Sequence, residues 1–138
     1  MAIDLQTPVN KKITIYSDFR KDLGLSPLSA DIVILKNEDA VKDAIKNLLL
    51  TDRGERLMQP TLGAGLREML FENITPAVHK ILEERIKGTI NLYEPRAELI
   101  DVAVSSAYDE NTIEINIRFY VINQEQPITL DVILERIR

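Results

Sequence analysis

The chain of 138 residues contains no cysteine and a single histidine, His79. The absence of cysteine excludes disulfides, thiolate metal sites and cysteine nucleophiles. One histidine excludes a two-histidine metal site, and the sequence has no GxSxG motif for a serine nucleophile. We therefore interpret His79, one residue from the apolar face of a predicted helix, as a partly exposed side chain without a special task.

Long apolar segments are also missing. The longest uninterrupted runs, such as IVIL and FYVI, are far too short to cross a bilayer. The N-terminal stretch MAIDLQTPVNKKI lacks the apolar core of a signal peptide. We expect a soluble, non-secreted protein that has no membrane partner.

The basic residues are not concentrated in any part of the chain. There are 17 lysines and arginines against 22 aspartates and glutamates, which gives a formal net charge of -5. Nucleic-acid binding needs clustered basic side chains that displace counterions from phosphates. We predict that the partner is another protein and not a nucleic acid.

The length and the 45% hydrophobic content suit one compact domain with a real core. Residues 1–36 carry mixed signals, because strand-like KKITIYS and DIVIL flank the turn-prone LGLSPLS. We predict a partly extended N-terminal arm over 1–36 and a single α+β domain over 37–138.

Two segments repeat apolar residues at three- and four-residue spacing, which indicates two amphipathic helices. The first is predicted over about 38–50, with Asn37 accepting hydrogen bonds from the first free amides. The second is predicted over about 76–93, because Thr75 is a good N-cap and Pro76 suits the first helical position. The predicted apolar faces are Val41, Ala44, Ile45, Leu48 and Leu49 in the first helix, and Val78, Ile81, Leu82, Ile86, Ile90 and Tyr93 in the second.

The stretch between the helices, TDRGERLMQPTLGAG, is interrupted by glycine and proline too often for a regular element. It predicts a structured loop, followed by a short helical turn over Leu66 to Phe71. The glycines of LGAGLRE lack the lysine and the serine or threonine of a phosphate-binding loop. We interpret them as a tight turn in which the backbone passes close to another element.

Beyond Pro95 the apolar period becomes two, which predicts three β-strands joined by turns at YDEN and NQEQP. The strands form an antiparallel meander with one face towards the helices. The predicted fold class is therefore α+β, with two main helices packed on a small antiparallel β-meander. The alternating apolar residues are Ile100, Val102 and Val104; Ile113, Ile115, Ile117, Phe119 and Val121; and Ile128, Leu130, Val132 and Leu134.

Paired carboxylates leave one enzymatic option open, because glycosidases work with two acids that flank a sugar bond. Glu83 and Glu84 are adjacent, however, and adjacent residues on a helix point about 100° apart. Asp109 and Glu110 fall in a predicted hairpin turn, where acids are common for conformational reasons. We interpret both pairs as solvated surface charge and predict no catalytic, cofactor-binding or metal-binding residue and no cofactor.

The stretch Glu94-Pro95-Arg96 follows the second predicted helix. Proline disfavours helical geometry in the preceding residue, so the helix must end near Tyr93 or Glu94 and the chain is expected to become extended. Residues i and i+2 of an extended chain point the same way, which would set the Glu94 carboxylate beside the Arg96 guanidinium. Such a pair suits a polar interface. The spacing alone leaves two alternatives open, a docking point or a helix stop with solvated charges.

Several motifs in series resemble a known family. The stretch AIKNLLLTDRGERLMQPTLGAGLREMLFENITP, from Ala44 to Pro76, and YEPR, from Tyr93 to Arg96, stand before an alternating hairpin. This order and spacing is similar to the baseplate wedge proteins of contractile phage tails, over roughly residues 37–122. The same family includes a component of type VI secretion baseplates, and its members are often labelled lysozyme-like. IYSDF, from Ile15 to Phe19, resembles the phage branch more than the secretion branch.

The resemblance implies a structural and not a catalytic protein, located in the virion tail baseplate and assembled in the host cytoplasm. Family members initiate the sheath, and their fold is similar to the inner domain of sheath subunits. Their Glu-Pro-Arg motif contacts the helical core bundle of the wedge, and it maps onto Glu94, Pro95 and Arg96. The implied partners are other baseplate wedge proteins and sheath subunits, the latter through β-strand exchange.

The last predicted strand, within ITLDVILERIR, contains neither proline nor glycine. It is open to two interpretations, an ordinary internal pairing or a sheath contact through an unpaired edge. If this strand is an edge strand, we expect Arg136 and Arg138 either to block the addition of unwanted strands or to contact the sheath. Two alternative functions also stay open, an equivalent component of a type VI secretion or other contractile injection system, and a tail peptidoglycan hydrolase.

Overall fold

Two amphipathic helices and a three-stranded antiparallel sheet form the core of the fold. The computed structural model describes residues 13–72, 75–107 and 112–135. In chain order the elements are β1 (Ser17–Phe19), β2 (Ile34–Lys36), α1 (Glu38–Leu50), α2 (Leu66–Met69), α3 (Pro76–Tyr93), β3 (Ala97–Ala107), β4 (Thr112–Val121) and β5 (Ile128–Glu135). The predicted α+β class is confirmed.

The two long helices begin and end where their sequence signals predict. Pro76 occupies the first turn of α3, and the Thr75 hydroxyl accepts a hydrogen bond from the Val78 amide at 3.4 Å. Both helices bury an apolar face against the sheet. One predicted member of the α3 face is wrong, because Ile81 is 50% exposed and the buried residues are Leu82, Ile86, Thr89 and Ile90. No helix among the described residues is long and apolar enough to span a membrane.

The sheet has the strand order β3-β4-β5, with β4 in the centre. The alternation of β4 is complete: Ile113, Ile115, Ile117, Phe119 and Val121 are all buried and the residues between them are not. On β5 the predicted positions Ile128, Val132 and Leu134 are buried and Leu130 is half-buried. One face of the sheet is therefore core and the other is polar, as predicted for a meander with helices on one side.

A β-bulge changes the pattern at the start of β3. The pairing register with β4 shifts between Leu99 and Asp101, so Ile100 has no partner in the ladder. Because one extra residue reverses the sense of the alternation, Leu99 and Val102 face the core while Ile100 is 44% exposed. The prediction that Ile100 belongs to the core is wrong for this reason. The predicted YDEN turn lies outside the described residues.

The described part of the N-terminal arm folds back on itself as a small hairpin. β1 pairs with β2 from Ser17↔Lys36 to Phe19↔Ile34, and Leu25 forms an isolated bridge with Ile32. The strands are shorter than KKITIYS and DIVIL suggest. Most apolar side chains of the hairpin are exposed, including Phe19 at 63% and Leu28 at 99%. The division of the chain at residue 36 stays a prediction.

Asn37 attaches this hairpin to α1, and its predicted role as a helix cap is wrong. The side chain makes no capping hydrogen bond, and the backbone has a positive φ of 48°. Instead Oδ1 accepts from the amides of Ile15 at 2.8 Å and Tyr16 at 3.2 Å, while Nδ2 donates to the Ile13 carbonyl at 3.0 Å. Asn37 is buried, and the arm supplies the backbone partners that the first turn of α1 would supply to a capping side chain.

The loop between α1 and α2 is held in a defined shape by its backbone. The Gly54 amide donates to the Pro60 carbonyl at 2.8 Å and closes the base of a projecting tip that carries Leu57 and Met58. Gly63 has a φ of 110°, and a Cβ at this position would lie 2.3 Å from the Thr51 carbonyl oxygen. The predicted close approach of the glycine-containing turn to another element is confirmed.

Candidate functional site

The Glu94-Pro95-Arg96 segment forms a turn between α3 and β3. The Glu94 amide donates to the Ile90 carbonyl at 2.8 Å and completes α3, and the Ala97 amide donates to the Glu94 carbonyl at 3.2 Å. This second bond closes a β-turn that has Pro95 and Arg96 at its two central positions. The prediction of an extended segment is therefore wrong. The fixed φ of proline suits the second position of a β-turn as well as it suits an extended chain.

The turn brings the two charged side chains into a two-point ion pair. Arg96 Nε lies 2.6 Å from Glu94 Oε1, and Arg96 Nη2 lies 2.8 Å from Glu94 Oε2. The Glu94 side chain is 7% exposed and that of Arg96 is 29% exposed. The predicted side-by-side arrangement is confirmed, although a turn produces it. The alternative of solvated charges is wrong for Glu94, whose carboxylate is buried and bound to Arg96.

Arg96 joins three parts of the fold. Its guanidinium carbon lies 5.8 Å from the centre of the Tyr16 ring, within range of a cation–π contact with the arm. Its carbonyl accepts a hydrogen bond from the Ile122 amide at 3.0 Å, just after β4. The hydrogen bonds from Arg96 to the Glu94 carboxylate raise the pKa of Arg96 above its usual value. An arginine side chain is charged in proteins even without such a shift.

Two residues of this site were missed by the sequence analysis. Tyr16 lies on Arg96, and Asn37 fixes the backbone of Tyr16 through the hydrogen bonds described above. Tyr16 and Arg96 are 80 residues apart in the chain, and no periodicity or spacing connects them. The signals that included Tyr16 were the strand-like KKITIYS and the family-like IYSDF, and neither predicts a contact with Arg96.

The other candidate groups do not assemble into a chemical site. His79 is half-buried, and its Nε2 atom has no hydrogen-bond partner among the described residues. Glu84 is exposed, but Glu83 is half-buried and accepts a hydrogen bond from the Val104 amide at 3.4 Å, so describing Glu83 as a solvated charge is wrong. Asp109 and Glu110 lie outside the described residues. In the described part of the chain, no group of acidic or histidine side chains could hold a metal ion.

Comparison with known proteins gives a consistent result. The family model of the baseplate wedge protein gp25 matches residues 36–126. The baseplate wedge protein gp25 of Enterobacteria phage T4 is 30% identical over 114 residues, which cover 83% of this chain and 86% of that protein. The match therefore includes the Glu94-Pro95-Arg96 turn.

Two solved structures have a fold similar to that of this chain. A Geobacter sulfurreducens protein, described provisionally as a tail lysozyme, has a TM-score of 0.69 at 28% identity, covering 78% of this chain and 97% of that one. A chain of the anti-feeding prophage baseplate also has a TM-score of 0.69 at 28% identity, covering 79% of this chain and 87% of that one.

Proposed function

This chain belongs to the gp25 family of baseplate wedge proteins, and we propose that it docks to its wedge through the turn at Glu94, Pro95 and Arg96. Family membership makes it a baseplate wedge component of a contractile tail system. The observation that carries the docking proposal is the buried ion pair, because it presents one partly exposed guanidinium in a fixed orientation.

The docking surface consists of Pro95 and the exposed part of Arg96. Arginine has five N–H donors, and the two bonds to Glu94 leave three of them without a partner among the described residues. A partner carboxylate or a group of helix C-terminal carbonyls can accept these donors through the rigid fork. Glu94 is too buried to meet a partner directly, so its role is to orient Arg96.

We further propose that β5 is the strand on which sheath subunits add. β5 lies at the edge of the sheet and pairs only with β4 among the described residues, so its other edge offers backbone groups to an incoming strand. The opposite edge strand, β3, already has the Val104 amide bound by Glu83. Ile133, 61% exposed on the outer face of β5, adds apolar surface that an added strand would cover.

The role that we propose is structural and not catalytic. A general-acid carboxyl for sugar-bond cleavage needs an apolar pocket without a counter-charge, which keeps the acid protonated. Among the described residues, Glu94 is the one acidic residue that is buried. The Arg96 guanidinium binds both of its carboxylate oxygens and neutralises its charge. Purified protein is expected to release no muropeptides from peptidoglycan at acidic or neutral pH. Release that depends on Glu83 or Glu94 would contradict the structural role.

A second candidate is the equivalent component of a non-phage contractile injection system. It is supported by the likeness to the anti-feeding prophage baseplate, which equals the likeness to the Geobacter protein. The proposed docking turn and edge strand would serve either system in the same way. The proteins that co-purify with the chain from its native source distinguish the two systems.

Co-assembly tests the docking proposal. The purified chain is mixed with its candidate wedge partners, and the wild type is compared with Glu94→Gln/Arg96→Gln by size-exclusion chromatography. Circular dichroism checks that each chain is folded. We expect the variant to elute apart from the wedge while retaining its fold. A folded variant that enters the wedge normally would show that docking uses another surface.

A further inference from the structure

A groove beside the docking turn contains two arginines that have no acidic partner among the described residues. The groove has a volume of about 460 Å³ and lies between α3 and the loop after α1. Its lining includes Arg53 from the loop and Arg85, Gly88 and Leu92 from α3. The lining also includes Tyr93, the residue before Glu94.

The two guanidinium-bearing side chains meet over Gly65. A Cβ built on Gly65 would lie 3.6 Å from Arg53 Cγ and 3.9 Å from Arg85 Nη1, so both arginines pack across this residue. Gly65 itself has a φ of 59°, a conformation that favours glycine. The convergence of Arg53 and Arg85 is thus fixed by the backbone of the loop.

Neither arginine is neutralised inside the described part of the protein. Arg53 makes one long hydrogen bond, from Nε to the Gly63 carbonyl at 3.5 Å, and the Arg85 guanidinium makes no ion pair there. The acid in the lining is Glu84, which is exposed. Two unpaired positive charges in a groove of a chain with net charge -5 mark a local site for a negative group.

Exposed apolar side chains lie on the same helix and loop as the two arginines. Gly88 has open space above its Cα, and Leu92 on the same face of α3 is 71% exposed. The loop that contributes Arg53 and Pro60 to the lining also carries Leu57 and Met58, which are 95% and 96% exposed. Large side chains exposed to this degree beside a charged groove indicate a protein contact and not a small-ion site.

We propose that this groove docks a segment of another baseplate protein that carries an acidic side chain beside apolar ones. The carboxylate binds Arg53 and Arg85 through their planar forks, and the flanking apolar side chains cover Leu92 and the loop tip. A nucleic acid would need many more basic contacts than this pair supplies. The inference rests on the proposed baseplate function but concerns a surface separate from the Glu94-Pro95-Arg96 turn.

Charge removal tests the groove directly. Arg53→Gln/Arg85→Gln is compared with Lys46→Gln/Lys80→Gln, which removes the same charge from exposed helical positions elsewhere. We expect the arginine variant to bind the wedge partners roughly tenfold more weakly or worse, because a desolvated carboxylate loses its partner. The lysine variant is expected to bind like the wild type. Equal binding by both variants would overturn the groove proposal.

Cross-linking identifies the occupant. The chain has no cysteine, so Leu92→Cys carries a single benzophenone maleimide, with Glu114→Cys on the outer face of the sheet as control. After irradiation in assembled wedges, mass spectrometry is expected to find a partner peptide that contains aspartate or glutamate close to the cross-linked residue. A peptide without an acid, or no cross-link above control, would overturn the proposal. Failure of the wild type itself to bind any wedge protein would instead remove the proposed function.

Discussion

Arg96 holds the buried carboxylate of Glu94 through two hydrogen bonds of 2.6 and 2.8 Å, although the two residues are separated by a single proline. The contact is short-range in sequence, and its acidic side is largely removed from solvent. The pair fixes the orientation of the Arg96 guanidinium at the C-terminal end of α3.

Breaking the pair is expected to cost stability asymmetrically. Arg96→Gln leaves a buried carboxylate without its partner, whereas Glu94→Gln leaves a guanidinium that can still reach water. We expect both changes to lower the free energy of unfolding by roughly 1.5–3 kcal/mol, with Arg96→Gln the larger. Urea unfolding of the single variants and of the double variant measures the effect. If the two single effects simply add in the double variant, the residues are not coupled as the structure indicates.

Asn37→Gly is expected to release the arm while leaving the α1–sheet core intact. Glycine tolerates the positive φ of this position, so the change removes only the side-chain bonds to Ile13, Ile15 and Tyr16. Hydrogen exchange should become faster at the amides of Ile15 and Tyr16. Amides of β4 should be unaffected and serve as the internal control. Unchanged exchange at Ile15 would mean that the arm is held by other contacts.

Gly63→Ala is expected to disrupt the loop and Gly88→Ala to stabilise the protein. The new Cβ at position 63 would meet the Thr51 carbonyl, with a φ that disfavours side chains, while position 88 is an open site inside α3. We expect the second change to raise the free energy of unfolding by roughly 0.5–1 kcal/mol, because alanine is the better helix former. Thermal unfolding measures both. Equal effects of the two substitutions would contradict the close approach at Gly63.

Ile133→Lys is expected to reduce sheath growth without changing wedge assembly. The side chain is exposed on the edge strand, so we expect stability to change by less than about 0.5 kcal/mol. A lysine there opposes the addition of another strand. Electron microscopy of sheaths grown on assembled baseplates measures the effect. Ile81→Lys, the same substitution at a half-exposed position of α3, is the control. Sheaths of normal length with Ile133→Lys would remove β5 as the template strand.

The parts of the fold that depend on local sequence were predicted well. The bounds of α3 followed from Thr75, Pro76 and the proline after Glu94, because capping and proline effects act within a few residues. The alternation of β4 and β5 followed from burial of one sheet face. The proximity of Glu94 and Arg96 was also predicted, but its geometry was not, because proline is compatible with both a turn and an extended chain.

What could not be predicted depends on contacts between distant segments. Asn37 looks like a helix cap in its local sequence, and only the arm, more than 20 residues earlier, supplies the backbone groups that it binds instead. The bulge at Ile100 could not be predicted from the local sequence either, because it depends on the pairing register with β4. The convergence of Arg53 and Arg85 over Gly65 likewise requires the folded loop.

The most direct test of the docking claim is the affinity of the wedge partners for Glu94→Gln, Arg96→Gln and the double variant, measured by isothermal titration calorimetry at a temperature where all are folded. Because Glu94 is buried and acts through Arg96, the account predicts that each single change weakens binding roughly tenfold or more. The double variant should then bind no more weakly than Arg96→Gln alone. Wild-type affinity in Glu94→Gln would contradict the account, since Arg96 would then dock without being held by Glu94.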